Sequence, residues 1–229
     1  MEAYSPSAAG QFATSGRATF LVRTYAHLVG AILLFMMIEV ALFATGLAEP
    51  MARSMLGVSW LLVLGGFMVV GWFASRAAHT AESLVKQYAA LIAFVVAEAI
   101  IFVPLLYMAA VYAGPSVINS AAWVTLLGFA GLSGVVFWTR KDFSFLGSVL
   151  RWGMIVALVA IVAAVIFGFE LGTFFSVAMI ALAGGAILYD TSNVLHHFPE
   201  DRYVGAALEL FASVALLFWY VLRLFMSRN

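Results

Sequence analysis

The sequence predicts an all-α integral membrane protein, a bundle of seven transmembrane helices whose N-terminus lies in the cytoplasm. Of its 229 residues, 65% are hydrophobic and only 10% are charged, and the mean hydropathy is +1.09. A soluble domain carries about a quarter of charged residues, so this chain has more apolar surface than it can hide from water. Lipid cannot hydrogen bond to the backbone, so spanning segments must be helices or closed barrels, and the alternating pattern of barrel strands is absent.

Seven stretches are long and apolar enough to cross a bilayer, which takes about 20 residues in a helix. The connections between them are short, which favours one compact bundle. The polar residues 1–17 are interpreted as a cytoplasmic tail, and 18–229 as a single seven-helix membrane domain. The predicted spans are 24–46, 55–75, 87–110, 119–138, 146–168, 172–194 and 206–226.

The distribution of lysine and arginine predicts the orientation, because cytoplasmic loops carry an excess of both. With the N-terminus inside, eight of the eleven basic residues are cytoplasmic and three are not. If the last stretch only dips into the membrane, the count becomes ten against one. The inside set is Arg17, Arg23, Arg76, Lys86, Arg140, Lys141, Arg151 and Arg202, and the outside set is Arg53, Arg223 and Arg228.

Composition also excludes several classes of function. The formal net charge is zero, so no basic field attracts nucleic acid. The chain has no cysteine, which excludes disulfides, thiol catalysis and thiolate metal sites. The lipid bilayer is therefore the one partner that composition predicts, and no cofactor is expected apart from a bound Ca²⁺.

Acidic residues within the predicted spans point to a functional site. A charge at the middle of a bilayer costs roughly 2.5–3.5 kcal/mol on insertion scales, so such residues are usually paired, protonated or beside water. Asp190 and Glu209 each lie about one turn from the cytoplasmic end of their span, at a shared depth. The arginines near the same face are Arg76, Arg151 and Arg202. We therefore expect Asp190 within reach of Arg76 or Arg151.

Such a carboxylate pair can bind a cation when ionised and release it when protonated, and oxygen ligands suit Ca²⁺. Asp190 and Glu209 are the predicted metal ligands. Glu98, six residues before the helix-disturbing Pro104, is a candidate for lining an ion path. Glu39 is expected to make a buried hydrogen bond. His196 and His197, beside two acids, are interpreted as part of a hydrated loop.

Two segments resemble a known family. The run GGAILYDTSNV, a loop, and ALELFASVALLFWYVLRLF resemble the last two helices of the Bax inhibitor-1 family. The segment TRKDFSFLG, residues 139 to 147, resembles the connection between spans four and five of that family. The resemblance covers about residue 18 to the end and is nearest to the bacterial branch that includes the modulator of the FtsH membrane protease.

The resemblance implies a seven-helix fold wrapped around its last helix, and a pH-dependent Ca²⁺ leak sensed by two aspartates. Asp190 matches the first aspartate, and Arg76 approximately matches the arginine that latches onto it. The second aspartate is replaced by Ser213, and Glu209 lies one turn away. This departure weakens the expectation of calcium sensing, and the protease-modulator branch shows a similar loss.

Three functions are therefore considered. The first is a pH-sensitive cation (Ca²⁺) leak channel gated by a latch of Asp190 and Arg76. The second is a non-conducting regulator of an FtsH-type quality-control protease in a bacterial inner membrane. The third, a remote alternative, is a rhomboid-like protease that uses Ser133 within Gly131–Gly134, but its base would have to come from histidines beyond the end of a span. The prediction is that the protein is not an enzyme.

Overall fold

The helices of the bundle are placed by a computed structural model, which describes residues 6–57, 60–80 and 83–227. Every regular element within these ranges is helical. A π-helical turn, Ala109–Ala113, extends α4. The helices are α1 (Pro6–Ala44), α2 (Ala48–Leu56), α3 (Trp60–Thr80), α4 (Leu84–Met108), α5 (Pro115–Thr139), α6 (Leu146–Phe167), α7 (Gly172–His196) and α8 (Tyr203–Met226).

Five of the predicted spans correspond to helices with small differences at their ends, whereas α1 begins well before residue 24 and the predicted span 55–75 begins in α2 and ends in α3. Six helices are long and apolar enough to cross a membrane, and a seventh crossing results if the bent pair of α2 and α3 is counted as one. The integral membrane class is thus supported, while the count of seven and the side of the N-terminus stay predictions. α1 already begins at Pro6, so part of the predicted tail is helical.

α8 is the central helix of the bundle. It packs against α1, α3, α4, α5 and α7. Within the most apolar window of each helix, 72% of α8 is buried but only 6% of α6. A helix that is apolar all round is stable in either place, since lipid and protein interior are equally apolar. Hydropathy alone therefore does not distinguish the central helix α8 from the peripheral helix α6.

Aromatic side chains fill the space between α8 and its neighbours at mid-bundle. Phe102 of α4 is only 2% exposed and stacks on Phe218 of α8 with 5.6 Å between ring centroids. The rings of Trp219 and Phe35 meet Phe102 edge-on at 4.9 and 5.2 Å. Offset and edge-to-face pairs are the favoured aromatic geometries, so this cluster fixes how α1, α4 and α8 pack.

Glycines bring the peripheral helix α6 close to α7. A Cβ atom at Gly147 would lie 2.8 Å from the ring of Tyr189, and one at Gly153 would lie 2.6 Å from Leu182. Small residues at such positions let helix backbones approach closely in lipid. α6 then ends at Gly168, whose φ of +71° is readily adopted only by glycine.

Candidate functional site

Asp190 lies near the C-terminal end of α7, facing α8. It is 8% exposed, and the two residues that follow it are fully buried. The hydroxyl of Ser213 on α8 donates a hydrogen bond to Oδ2 of Asp190 at 2.5 Å. Ser213 is the residue that stands in place of a second aspartate, so the expected dicarboxylate is here a carboxylate and a hydroxyl.

The other predicted members surround this pair at different distances. Glu209, half-buried one turn before Ser213, is close enough to repel Asp190 electrostatically. Arg76 is exposed on α3, with its guanidinium 5.5 Å from the centroid of the Trp72 ring. Arg151 donates from Nε to the carbonyl of Gly147 in its own helix at 3.1 Å.

Among the residues that the structure describes, Asp190 is thus hydrogen bonded to Ser213, and its charged neighbour is Glu209. The latch between Asp190 and an arginine stays a prediction. Asp190 and Ser213 thus bring side-chain oxygen atoms of two helices together at this point.

A second polar contact continues the site toward α5. The hydroxyl groups of Ser133 and Thr191 lie 3.2 Å apart, and both residues are buried. A hydroxyl partner cannot serve as the general base that a serine nucleophile requires. The two candidate histidines, His196 and His197, are exposed at the end of α7. The contact therefore joins two helices and does not resemble a catalytic pair.

Two more acids are buried within the bundle. Glu98 on α4 is 7% exposed and Glu39 on α1 is 6% exposed. Within the described part of the chain, neither carboxyl oxygen of Glu39 has a hydrogen-bond partner, so the bond expected there is not formed. α4 stays helical through Pro104. The role of Glu98 in lining an ion path stays a prediction.

The ligand set for a cation is small. Ca²⁺ takes six to eight oxygen ligands, whereas Asp190, Ser213 and Glu209 supply oxygens from three side chains. No group of three or more histidine, cysteine or acidic side chains converges on one point within the described residues. These residues fit transient cation contact better than a closed calcium cage.

Arg17 ties the start of α1 to the end of α7. Its guanidinium donates to the carbonyl oxygens of Leu195, Phe198 and Val194 at 3.0, 2.6 and 2.7 Å. The last carbonyls of a helix lack partners within the helix, and a cation there also suits the helix dipole. Arg17 therefore caps α7 from a position 177 residues or more earlier in the chain.

The loop between α5 and α6 is fastened to the same end of α7. Asp142 accepts hydrogen bonds from the backbone N–H of Ser144 at 2.8 Å and from Ser192 at 3.3 Å. Its other carboxyl oxygen lies 2.9 Å from Nε2 of His197. The Ser192 hydroxyl in turn accepts from the N–H of Phe143 at 2.8 Å. The histidine interpreted as part of a hydrated loop is thus a contact between loop and helix.

Replacing Asp142 with alanine should loosen this loop in a pH-dependent way. The hydrogen bonds from Ser144 and His197 lower the pKa of Asp142 to about 2 from its ordinary 3.8. A lowered pKa stabilises the fold above the ordinary value, and the contribution is lost as pH falls from about 4 toward 2. Thermal unfolding should therefore separate wild type from Asp142→Ala at pH 7 and progressively less below pH 4.

The exposed neighbour Lys141 provides the control for that experiment. The Lys141→Ala variant should unfold like wild type at each pH, because its side chain makes no contact that the structure records. A gap between wild type and Asp142→Ala that stays constant from pH 7 to pH 2 would contradict the interpretation.

Comparison with known proteins places these features in context. The family model described as "Inhibitor of apoptosis-promoting Bax1" matches residues 17–229. Uncharacterized protein PA2604 of Pseudomonas aeruginosa is 37% identical over 115 residues, 49% of this chain and 50% of that protein. Modulator of FtsH protease YccA of Escherichia coli is 37% identical over 116 residues, 49% of this chain and 52% of that protein.

A plant relative shows how widely the resemblance extends. Protein LIFEGUARD 4 of Arabidopsis thaliana is 33% identical over 116 residues, 48% of this chain and 46% of that protein. The chain thus matches about half the length of each of these relatives.

Proposed function

Because the chain belongs to the Bax inhibitor-1 family, we propose that it regulates an FtsH-type quality-control protease in a bacterial inner membrane. The support is the 37% identity to a protein named as a modulator of FtsH protease, also named an inner membrane protein. The six or seven apolar helices support a protein that crosses this membrane several times. Regulation by binding requires no covalent chemistry of its own.

The hydrogen bond between Ser213 and Asp190 is the structural observation that favours regulation over ion conduction. A hydroxyl in place of a carboxylate removes one negative charge from the site, and with it much of the attraction for a divalent cation. A buried carboxylate bonded to a neighbouring helix instead stabilises one arrangement of α7 and α8. On this proposal Asp190 is a structural residue.

The end of the bundle around Arg17 is the surface that we assign to the protease. It gathers the start of α1, the loop between α5 and α6, and the loop between α7 and α8. The distribution of basic residues predicts that this end is the cytoplasmic one. The polar segment that precedes Arg17 in the chain would provide a stretch that the protease can bind at this end.

A pH-dependent cation leak is the second candidate function. It is favoured by the presence of two acidic side chains, Asp190 and Glu209, near each other on adjacent helices, because a bound cation or proton would relieve the repulsion between their charges. Arg76 would then act as the latch and Glu98 would line the path.

A single reconstitution distinguishes the two functions. The full chain is placed in liposomes with an FtsH-type protease, a labelled membrane substrate and an internal Ca²⁺ dye. Regulation predicts that substrate degradation slows as more of the chain is added, equally for wild type and Asp190→Asn. A degradation rate that ignores the chain, together with a Ca²⁺ flux that Asp190→Asn changes, would assign the leak function instead.

A further inference from the structure

A groove runs between α1 and α4 on the lipid-facing side of the bundle. Its volume is about 240 Å³, and its walls are apolar apart from a histidine at one end. It is open because Gly30 has no side chain, and a Cβ atom there would meet nothing within 4 Å. The groove is lined by residues that include His27, Gly30, Ala31, Leu34, Leu91 and Val95.

Polar and aromatic side chains gather where the groove begins. Nδ1 of His27 lies 2.6 Å from the carbonyl of Arg23, which can only accept, so Nδ1 carries the proton. In the neutral ring, Nε2 then accepts from the Tyr88 hydroxyl at 2.6 Å. Tyr203 adds a ring 5.1 Å from His27, and the Arg23 guanidinium lies 5.5 Å from the centroid of that ring. Tyrosine is typical of membrane interfaces, where its ring contacts lipid and its hydroxyl group contacts water.

A second cavity of about 290 Å³ lies one helical turn back along α1. It carries opposite charges, Arg23 and Glu200, and the hydroxyl-bearing Thr19. Arg17 also lies near Glu200, but its guanidinium is already bonded to three carbonyls at the end of α7. Arg23 is therefore the guanidinium that lines this cavity.

The two cavities together match the layout of one lipid. Arg23 in the polar cavity and His27 in the apolar groove are four residues apart, one turn of the same helix. A guanidinium binds phosphate well because its planar fork can donate two hydrogen bonds. A carboxylate beside it suits a primary ammonium. Ammonium, phosphate and hydrocarbon would thus follow one another along α1.

We infer that α1, α4 and the loop before α8 form a binding site for an aminophospholipid. Its phosphodiester lies at Arg23, its ammonium group at Glu200 and one acyl chain in the groove beside Gly30. The complementarity of both charges selects this headgroup over one without an ammonium. The inference is independent of protease regulation, since it concerns only what lies against this surface.

Native mass spectrometry of the full chain tests the site, with equal amounts of phosphatidylethanolamine and phosphatidylglycerol added. Wild type should retain mainly the ethanolamine lipid. Arg23→Gln should lower its retention roughly tenfold, the effect of losing one charge-assisted hydrogen bond. Glu200→Gln should abolish the preference between the two lipids. Gly30→Phe should fill the groove and lower the retention of both.

Matched variants provide the controls. Gly134 on α5 also has free space for a Cβ atom, so Gly134→Phe adds the same bulk to lipid-exposed surface elsewhere and should bind as wild type. Lys141→Gln removes a charge at the same end of the bundle and should also bind as wild type. Arg23 is exposed, so its variant tests the site even if Gly30→Phe does not fold.

Three results would overturn the inference. The first is wild-type retention of lipid by both Arg23→Gln and Gly30→Phe. The second is equal retention of the two headgroups by wild type. The third is a dimer that Gly30→Phe dissociates, which would assign the groove to a second copy of the chain.

Discussion

Replacing Phe102 with alanine should destabilise the bundle by roughly 3 kcal/mol, near the low end of the range for buried Phe→Ala changes. The ring contacts Phe218, Trp219 and Phe35, so its loss leaves a cavity where α1, α4 and α8 meet. In a membrane the unfolded helices remain in lipid, which removes most of the transfer contribution. The lost van der Waals contacts and the cavity remain.

Reversible unfolding in mixed detergent micelles can measure this effect. Phe174→Ala is the matched control, because that ring is 87% exposed to the surroundings of the bundle and its loss leaves no cavity. We expect the control to unfold within about 0.5 kcal/mol of wild type, as surface substitutions generally do. Equal effects at the two positions would show that the aromatic cluster does not hold the helices together.

The second large effect is expected when Ser213 is replaced by aspartate. The new carboxylate would face Asp190, with Glu209 one turn away. Without a cation, an uncompensated buried charge should destabilise the protein by roughly 3–5 kcal/mol. Added Ca²⁺ should then restore stability by about 2.7 kcal/mol at a concentration of 100 times its dissociation constant.

The Ser213→Asn variant distinguishes charge from size. It has the shape of aspartate without the charge, so it should gain nothing from Ca²⁺. Thermal unfolding of wild type and both variants, with and without Ca²⁺, is the measurement. If Ca²⁺ raises the melting temperature of all three proteins equally, the ion acts elsewhere and the pair of Asp190 and Ser213 is not a latent cation site.

The contact between Asp190 and Ser213 was within reach of the sequence. Both residues lie on the last two apolar helices, which a short loop joins, although the sequence pairs Asp190 in depth with Glu209, one turn before Ser213. Helices joined in this way pack side by side, so residues at matching depth meet. The replacement of an aspartate by Ser213 was visible from the resemblance, although the hydrogen bond itself was not.

The contacts of Arg17 and Asp142 could not have been predicted in the same way. Arg17 bonds to carbonyl groups at the end of α7, and backbone carbonyls carry no sequence signature. Asp142 reaches His197 across 55 residues, from a loop whose position depends on the packing of α5, α6 and α7. Helix periodicity indicates which residues share a helix, but it does not specify how the helix ends meet.

The break between α2 and α3 also escaped prediction. Hydropathy counted one span at 55–75, whereas the chain forms α2 over Ala48–Leu56 and a separate α3. α2 carries Glu49 and Arg53, an ion pair within one helical turn that averaging over a long window hides. Apolar content shows where a chain can enter lipid, and it is insensitive to a change of direction between two successive helices.

The central position of α8 has a consequence for biosynthesis. α8 is translated last. The other helices, most of which pack around α8, therefore enter the membrane before α8 has been made. Until then Asp190 has no Ser213 to donate to it, and the ring of Phe102 faces lipid or a different neighbour. The most apolar window of α6 is only 6% buried, so α6 can remain in contact with lipid without a change of surroundings. The contacts of α8 with five other helices can therefore form only after those helices have been synthesised.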